Sequence, residues 1–323
     1  MRVIVAGGAG FIGSHLCDAL LALGHQVTAV DNFITGSPAN VAHQLSNPNF
    51  RLIEHDVAQP LPDLDCDAVF NLASPASPEG YGRYPLETMF TNSFGTLHTL
   101  ELAQRYRARY LLTSTSEVYG DPQVHPQPET YWGNVNPVGP RSCYDEGKRF
   151  AEALVVNYGQ QKGLDYRIVR IFNTYGPRNH PEDGRVIPNF LTQALAGKPI
   201  TVYGDGSQTR SFCYISDLVD GLLRAMFTDA ASRQVINLGN PTEFTVMELA
   251  LQVLAVTGSR SPVENLPGRP EEIAQRRPDI EKAKALLGWT PTIELDTGLR
   301  ETVSWLNATR STPSAASSSH PSR

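Results

Sequence analysis

The chain is short of cysteine, of lysine and of long apolar runs, and each shortage narrows what it can be. Its four cysteines, Cys17, Cys66, Cys143 and Cys213, are scattered through 323 residues without a CxxC pair or a His-rich neighbourhood. Such spacing fits reduced thiols in the cytoplasm and argues against a disulfide framework or a zinc site. No apolar run approaches the ~20 residues needed to cross a membrane. The opening MRVIVAGGAGFIG has no basic n-region and reads as a strand entering a glycine turn, so no signal peptide is expected. An excess of positive charge is missing as well. The 27 Lys+Arg against 33 Asp+Glu give a formal charge of −6, which leaves no general electrostatic case for nucleic acid. What remains, 41% apolar and 19% charged residues, is the composition of a globular chain with room for one large α/β domain or two domains.

Strand-like apolar runs at 1–6, 26–30, 51–55, 68–72, 110–113 and 166–171 alternate with helical patterns, notably 11–23, 85–106 and 144–161. That alternation predicts right-handed crossovers and an α/β fold with a doubly wound parallel sheet of Rossmann type. Ligands of such sheets sit beyond the carboxyl ends of the strands. After about Phe172, segments rich in Gly, Pro and Asn (173–189, 197–211, 257–280) separate shorter helices at 187–196, 217–227 and 245–256. The expected organisation is a dinucleotide-binding domain over 1–172 and about 215–255, with Val235–Leu238 returning to the main sheet. A smaller substrate lobe would take 173–214 and 256–309. The Ser/Ala/Pro-rich residues 310–323 carry no periodicity and are expected to be a disordered tail.

Gly7, Gly10 and Gly13 stand between the first strand and the first helix. Gly7 suits a tight turn, Gly10 lets backbone amides approach a pyrophosphate, and Gly13 brings the helix close to the sheet. Phe11 and Ile12 open the helix whose N-terminal amides and dipole favour the phosphates. Asp31 closes the second strand 18 residues beyond Gly13, followed by Asn32. A carboxylate there accepts ribose hydroxyls and repels a 2′-phosphate, which favours NAD over NADP. Asp56 and Val57 end the third strand, where the adenine would lie. Leu72, Ala73 and Ser74 end the fourth, where the nicotinamide half would pass.

Tyr144 and Lys148 are four apart, on one face of a helix. A phenol with its ordinary pKa near ~10 is a poor base at neutral pH, and a nearby cation lowers that pKa. The pair can then take a hydroxyl proton while the same carbon loses its hydrogen. Only five lysines occur, and Lys148 alone lies within the first 161 residues. Upstream, the strand 110–113 ends in Ser114-Thr115-Ser116-Glu117, where the Thr115 hydroxyl can hold the reacting oxygen.

On Gly7/Gly10/Gly13, Thr115, Tyr144 and Lys148, the chain resembles the extended short-chain dehydrogenases/reductases from Met1 to about Leu306. The resemblance implies a catalytic triad of Thr115, Tyr144 and Lys148, with NAD bound tightly and recycled. Longer stretches resemble the UDP-glucuronate decarboxylase branch: NLASPASP (71–78), STSEVYGDP (114–122), HPQPETYWGNVNP (125–137), CYDEGKR (143–149), IFNTYGPR (171–178), DGRVIPNF (183–190) and YGDGSQTRSF (203–212). The implied substrate is UDP-glucuronate, with no metal and no membrane or nucleic-acid partner. A homodimer joined through the helices at 85–106 and 144–161 is implied as well. Where related dehydratases carry a protonating Asp after the strand-end hydroxyl, this chain has Ser116, which counts against dehydration.

By the same resemblance Glu117 and Arg276 handle the sugar around C4 and C5, a guanidinium suiting a carboxylate or diphosphate. Arg185 and Arg210 are candidates for the nucleotide side, and Asn173 for a sugar or phosphate oxygen. Tyr81 and Tyr203 could line the pocket, although aromatic packing explains either equally well. One position departs from the pattern. Phe90 stands where the family usually has a lysine near the substrate's carboxylate, and it falls on an apolar stripe with Leu86, Met89, Leu97 and Leu100 that reads as packing. A UDP-sugar 4-epimerase or a decarboxylase of another nucleotide sugar is the enzymatic alternative, and a non-catalytic dinucleotide sensor is the other.

Overall fold

The computed structural model describes residues 1–268 and 275–311, with the side chains of 310 and 311 excepted. Its first strands are β1 (Arg2–Ala6), β2 (Gln26–Asp31), β3 (Phe50–Glu54), β4 (Ala68–Asn71), β5 (Arg109–Thr115) and β6 (Tyr166–Ile171). Shorter strands follow: β7 (Thr174–Tyr175), β8 (Ile200–Tyr203), β9 (Thr209–Ser211), β10 (Cys213–Tyr214), β11 (Val235–Leu238), β12 (Glu243–Thr245), β13 (Val263–Leu266) and β14 (Gln275–Arg276). The helices of the first half are α1 (Phe11–Ala22), α2 (Pro78–Arg83), α3 (Pro85–Phe90), α4 (Thr96–Tyr106) and α5 (Ser142–Lys162). Those of the second half are α6 (Val186–Leu195), α7 (Ile215–Phe227), α8 (Val246–Thr257), α9 (Glu281–Leu287) and α10 (Leu295–Ser311).

Seven strands form one sheet in the order β11-β6-β5-β4-β1-β2-β3, and every pairing in it is parallel. Strands buried on both faces read as unbroken apolar runs, and Val3, Ile4, Val5 and Ala6 of β1 are accordingly buried. One face of the sheet packs on Leu16 and Leu20 of α1 and Leu218 and Leu222 of α7. The other packs on Leu100 and Ala103 of α4 and Ala151 and Val155 of α5. The doubly wound Rossmann sheet is therefore present, with its order reversing between β1 and β4, the place where such folds bind dinucleotides.

Two differences from the sequence reading bear on the site. Strand β5 runs on to Thr115 because Ser114 and Thr115 keep pairing with Arg170 and Ile171 of β6, which holds the hydroxyl run on the sheet. The helix expected over 85–106 is instead α3, a wide π turn at Thr91–Gly95, and α4. In the wide turn the buried Asn92 donates both to Thr88 O and to Ser74 Oγ, at 2.9 and 3.0 Å. Wide turns of this kind recur near functional sites.

The segments expected to be loops carry small sheets. Strand β9 lies between β12 and β14, with Arg276 in register with Arg210, and β8 pairs with β13. Of the tail expected at 310–323, residues 310 and 311 close α10, and the others lie outside the described residues. No helix among the described residues is long and apolar enough to cross a membrane.

Candidate active site

The carboxyl ends of β1, β4, β5 and β6 open into one large cleft. Its near end is built of backbone. Gly7 turns with φ +78°, and a Cβ there would stand 2.9 Å from Ala73 N and Leu72 C. A Cβ on Gly13 would collide with Gly7 O. The loop is thus drawn as close to β4 and α1 as glycine allows, and Gly7, Gly10, Phe11, Ile12 and Gly13 all line the cleft. The first turn of α1 carries no acidic side chain, so its amides face an anion unopposed.

A smaller cavity adjoins, sharing Gly7, Gly10, Leu72 and Ser74 with the cleft. Asp31, Asn32, Asp56, Val57 and Ala73 line it too. Asp31 is buried, and its two oxygens accept from Ala9 N and Phe33 N at 2.9 Å each. Burial raises its pKa, partly offset by these amides. The amide of Gly10 adds to these, and a carboxylate with about four acceptor sites still has room for a further donor. Asn32 and Asp56 cap their own turns, accepting from Ile34 N at 3.1 Å and Ala58 N at 2.9 Å. A glycine cradle that a methyl group would fill, amides at a helix start, and a fixed carboxylate one strand away suit a dinucleotide.

Tyr144 sits at the middle of the cleft, on the first turn of α5. Its ring stacks on Tyr81, with centroids 5.3 Å apart and planes 11° from parallel, and both residues line the cleft. The stack gives Tyr81 both readings at once, packing and lining. Thr115 lines the cleft beside Tyr144, and its hydroxyl accepts from Glu117 N at 3.2 Å. Lys148 is buried, and its Nζ donates to Thr113 O at 2.8 Å. Burial brings Lys148 down to about 8, with Glu152 opposing.

Lys148 is not among the chief influences on the Tyr144 phenol. Burial pushes Tyr144 up to about 12, and the chief opposing influences are the Thr115 hydroxyl and the charge of Arg185. One of the three Lys148 donors goes to Thr113 O. Arg185, assigned in the sequence to the nucleotide side, therefore bears on the central phenol. Its Nη2 donates to Ala76 O at 2.6 Å.

Beyond Tyr144 the cleft is built of charge. The Oε2 of Glu117 accepts from Arg141 Nη2 and, at 3.2 Å, from Arg276 Nη2. Arg276 is only 2% exposed and also donates to Ser116 O and, at 2.8 Å, to Gly120 O. Burial would raise the Glu117 carboxyl, but Arg276 and Arg141 outweigh it and hold it below the usual carboxylate range. Burial and the charge of Glu117 lift the neighbouring Asp145 to about 7. Asn173 and Arg210 line the same end. Asn173 Nδ2 is buried there with no partner among the described residues, as a group awaiting a ligand oxygen would be.

The fold thus brings together all the sequence-derived candidates except one. Tyr203 lies on β8, paired with Leu266 of β13, and lines neither cavity. Arg141 was passed over, although its place one helical turn before Tyr144 was a signal. Phe90 does not line the cleft, and the packed stripe expected around it is not there. Leu86, Met89 and Phe90 are 60%, 44% and 47% exposed, and only Leu100 of that set is fully buried.

A family model for the NAD dependent epimerase/dehydratase family matches residues 3–239. UDP-glucuronic acid decarboxylase 1 of Danio rerio is 53% identical over 306 residues, covering 95% of this chain and 72% of that one. UDP-glucuronic acid decarboxylase 3 of Arabidopsis thaliana is 53% identical over 300 residues, covering 93% and 87%. Among solved structures, UDP-glucuronic acid 4-epimerase from Bacillus cereus, in complex with UDP-glucuronic acid and NAD, superposes with a TM-score of 0.86 at 31% identity over 96% of this chain and 100% of that one. The chain belongs to the NAD dependent epimerase/dehydratase family, and its relatives there include the UDP-glucuronic acid decarboxylases.

Proposed function

We propose that this chain is an NAD-dependent carboxy-lyase that converts UDP-glucuronate to UDP-xylose through a 4-keto intermediate. One observation carries the reading: Thr115, Tyr144 and Lys148 meet at the strand ends in the same cleft as the Glu117–Arg276 pair, with Ser116 in place of a dehydrating acid. The cofactor would lie with its pyrophosphate on Gly7, Gly10, Phe11, Ile12 and Gly13 and a ribose on Asp31 and Asn32. The adenine would lie by Asp56 and Val57, and the nicotinamide half by Leu72, Ala73 and Ser74. Bound NAD supplies a reversible two-electron acceptor, so that the sugar is oxidised at C4 and reduced there again within one turnover.

The chain's own groups do the rest. Tyr144 takes the proton of the C4 hydroxyl and later returns it, while Thr115 holds the same oxygen. Lys148, anchored on Thr113 O, fixes the face of α5 toward the cofactor. Oxidation at C4 places a ketone β to the C5 carboxylate, and the bond to carbon dioxide then breaks with its electron pair held as an enolate. Glu117, kept in place by Arg276, handles the proton that restores C5. Asn173, Arg185 and Arg210, in a lobe assigned to 173–214 and 256–309, surround the sugar nucleotide together with Tyr81 of the dinucleotide-binding domain.

Leu86, Met89, Phe90, Phe94 and Phe150 are exposed on α3, the π turn and α5, an apolar face that supports a homodimer through these helices. The three buried thiols Cys17, Cys66 and Cys213, with Cys143 half-buried and also free, support a cytoplasmic enzyme. Incubation with UDP-glucuronate, followed by mass spectrometry, tests the reaction. Loss of carbon dioxide to give a UDP-pentose is expected. An isobaric product would make the chain a 4-epimerase, and no product would leave a non-catalytic binder. Sedimentation of the same preparation at the monomer mass would remove the dimer.

A further inference from the structure

Arg141 differs in what holds it from Arg276, Lys148 and Arg185, which line the same cleft. Arg276 is committed to the chain through Ser116 O, Gly120 O and Glu117. Lys148 is committed to Thr113 O, and Arg185 to Ala76 O with Asp183 3.5 Å away. Arg141 lines the cleft with 31% of its side chain exposed, and its guanidinium donates to the Glu117 carboxylate. Its Nε is buried, makes no hydrogen bond and lies 3.8 Å from Asp145 Oδ2. A guanidinium held mainly by one carboxylate can exchange it for another at little electrostatic cost, because the planar fork fits both alike.

We propose that Arg141 is the specificity-determining cation for the hexuronate, releasing Glu117 to bind the carboxylate at C5 of the sugar. The proposal rests on the decarboxylase reading above. Glu117 is not stranded by the exchange, since Arg276 still holds it. With one cation fewer beside it, Glu117 becomes easier to protonate, as proton transfer at C5 requires. The bond between C5 and the carboxyl carbon then breaks, its electron pair stays on the ring as the enolate, and carbon dioxide leaves uncharged. Arg141 is left without an anion and returns to Glu117, which loosens the grip on a product that has no acid.

The test compares UDP-glucuronate with UDP-xylose, which lacks only that acid, by calorimetric titration of the NAD-loaded enzyme. A Tyr144→Phe background prevents turnover during the titration. In that background Arg141→Gln is expected to weaken UDP-glucuronate about ten- to hundredfold, the worth of a charge-assisted bond. Binding of UDP-xylose should stay within about twofold, which also shows that the variant is folded. Arg141→Lys should recover part of the loss. Equal binding of UDP-glucuronate before and after the substitution overturns the proposal. So does full recovery in an Arg141→Gln/Glu117→Gln double variant, because Arg141 would then merely neutralise Glu117. Failure of the wild-type enzyme to release carbon dioxide is a separate outcome and overturns the decarboxylase reading itself.

Discussion

The two ends of the cleft are made from different materials. The cofactor end is backbone: a glycine loop, the amides of α1, and one carboxylate pinned by Ala9 N and Phe33 N. The sugar end is side-chain charge, with Glu117 set between Arg141 and Arg276 and Asp145 behind them. The first is rigid because its atoms have nowhere to go; the second is held by a balance of charges that a substrate anion can shift. An end built of backbone should fail when atoms are added, whereas an end built of charge should fail when charge is removed.

The largest effect is expected from Arg276→Gln. Arg276 is buried, and its loss leaves Ser116 O and Gly120 O without a donor and Glu117 with one cation instead of two. Breaking such a buried pair costs about 3–5 kcal/mol. Turnover should fall accordingly, and the pH dependence should move in a defined direction. Glu117 is held below its ordinary pKa, so its contribution to stability is present above the unfolded carboxylate value and lost as pH falls through the folded one. Removing Arg276 raises the folded value, so both acid unfolding and the acid limb of kcat should shift to higher pH. Thermal unfolding and initial rates measured across a pH series would show it. An unshifted acid limb would mean that Arg276 does not set the charge of Glu117.

A smaller effect, confined to the other end, is expected from Gly13→Ala. The added methyl meets the carbonyl of Gly7, which cannot move without pulling the loop off Leu72 and Ala73. Overpacking of this kind costs about 1–3 kcal/mol. NAD should bind more weakly in a titration followed by protein fluorescence, while UDP alone binds as before. Equal losses for both ligands would show that the two ends do not act separately.

The same division decides what could be read before folding. The strands β1, β2, β4, β6 and β11 and the cofactor loop depend on neighbours in sequence, and their residues fell where spacing put them. Tyr144 and Lys148 were legible for the same reason, as one helix face. The sugar end was visible only through resemblance, since Glu117 and Arg276 stand 159 positions apart and meet across β9 and β14, strands of two or three residues with no periodicity to detect. The π turn escaped because its cause is tertiary, the reach of Asn92 to Ser74. Sequence shows that Lys148 is near Tyr144 but not that one of its three donors is anchored on Thr113 O.

The smallest effect sharpens the comparison at a residue that belongs to neither end. Phe90 is 47% exposed, its ring 6.0 Å from that of Phe94, and it does not line the cleft. Phe90→Lys introduces the lysine that the family resemblance implies, at a surface position where substitutions shift free energies by about 0.5 kcal/mol or less. KM for UDP-glucuronate should therefore change by no more than about twofold, with UDP-xylose inhibition unchanged, as steady-state kinetics would show. The sign matters as much as the size. A lysine that reached the cleft would add a second cation for the substrate's acid and lower KM for UDP-glucuronate alone. A drop of that kind would move the carboxylate's partner from α5 to α3, and the charge-built end would then extend to the face assigned here to the dimer.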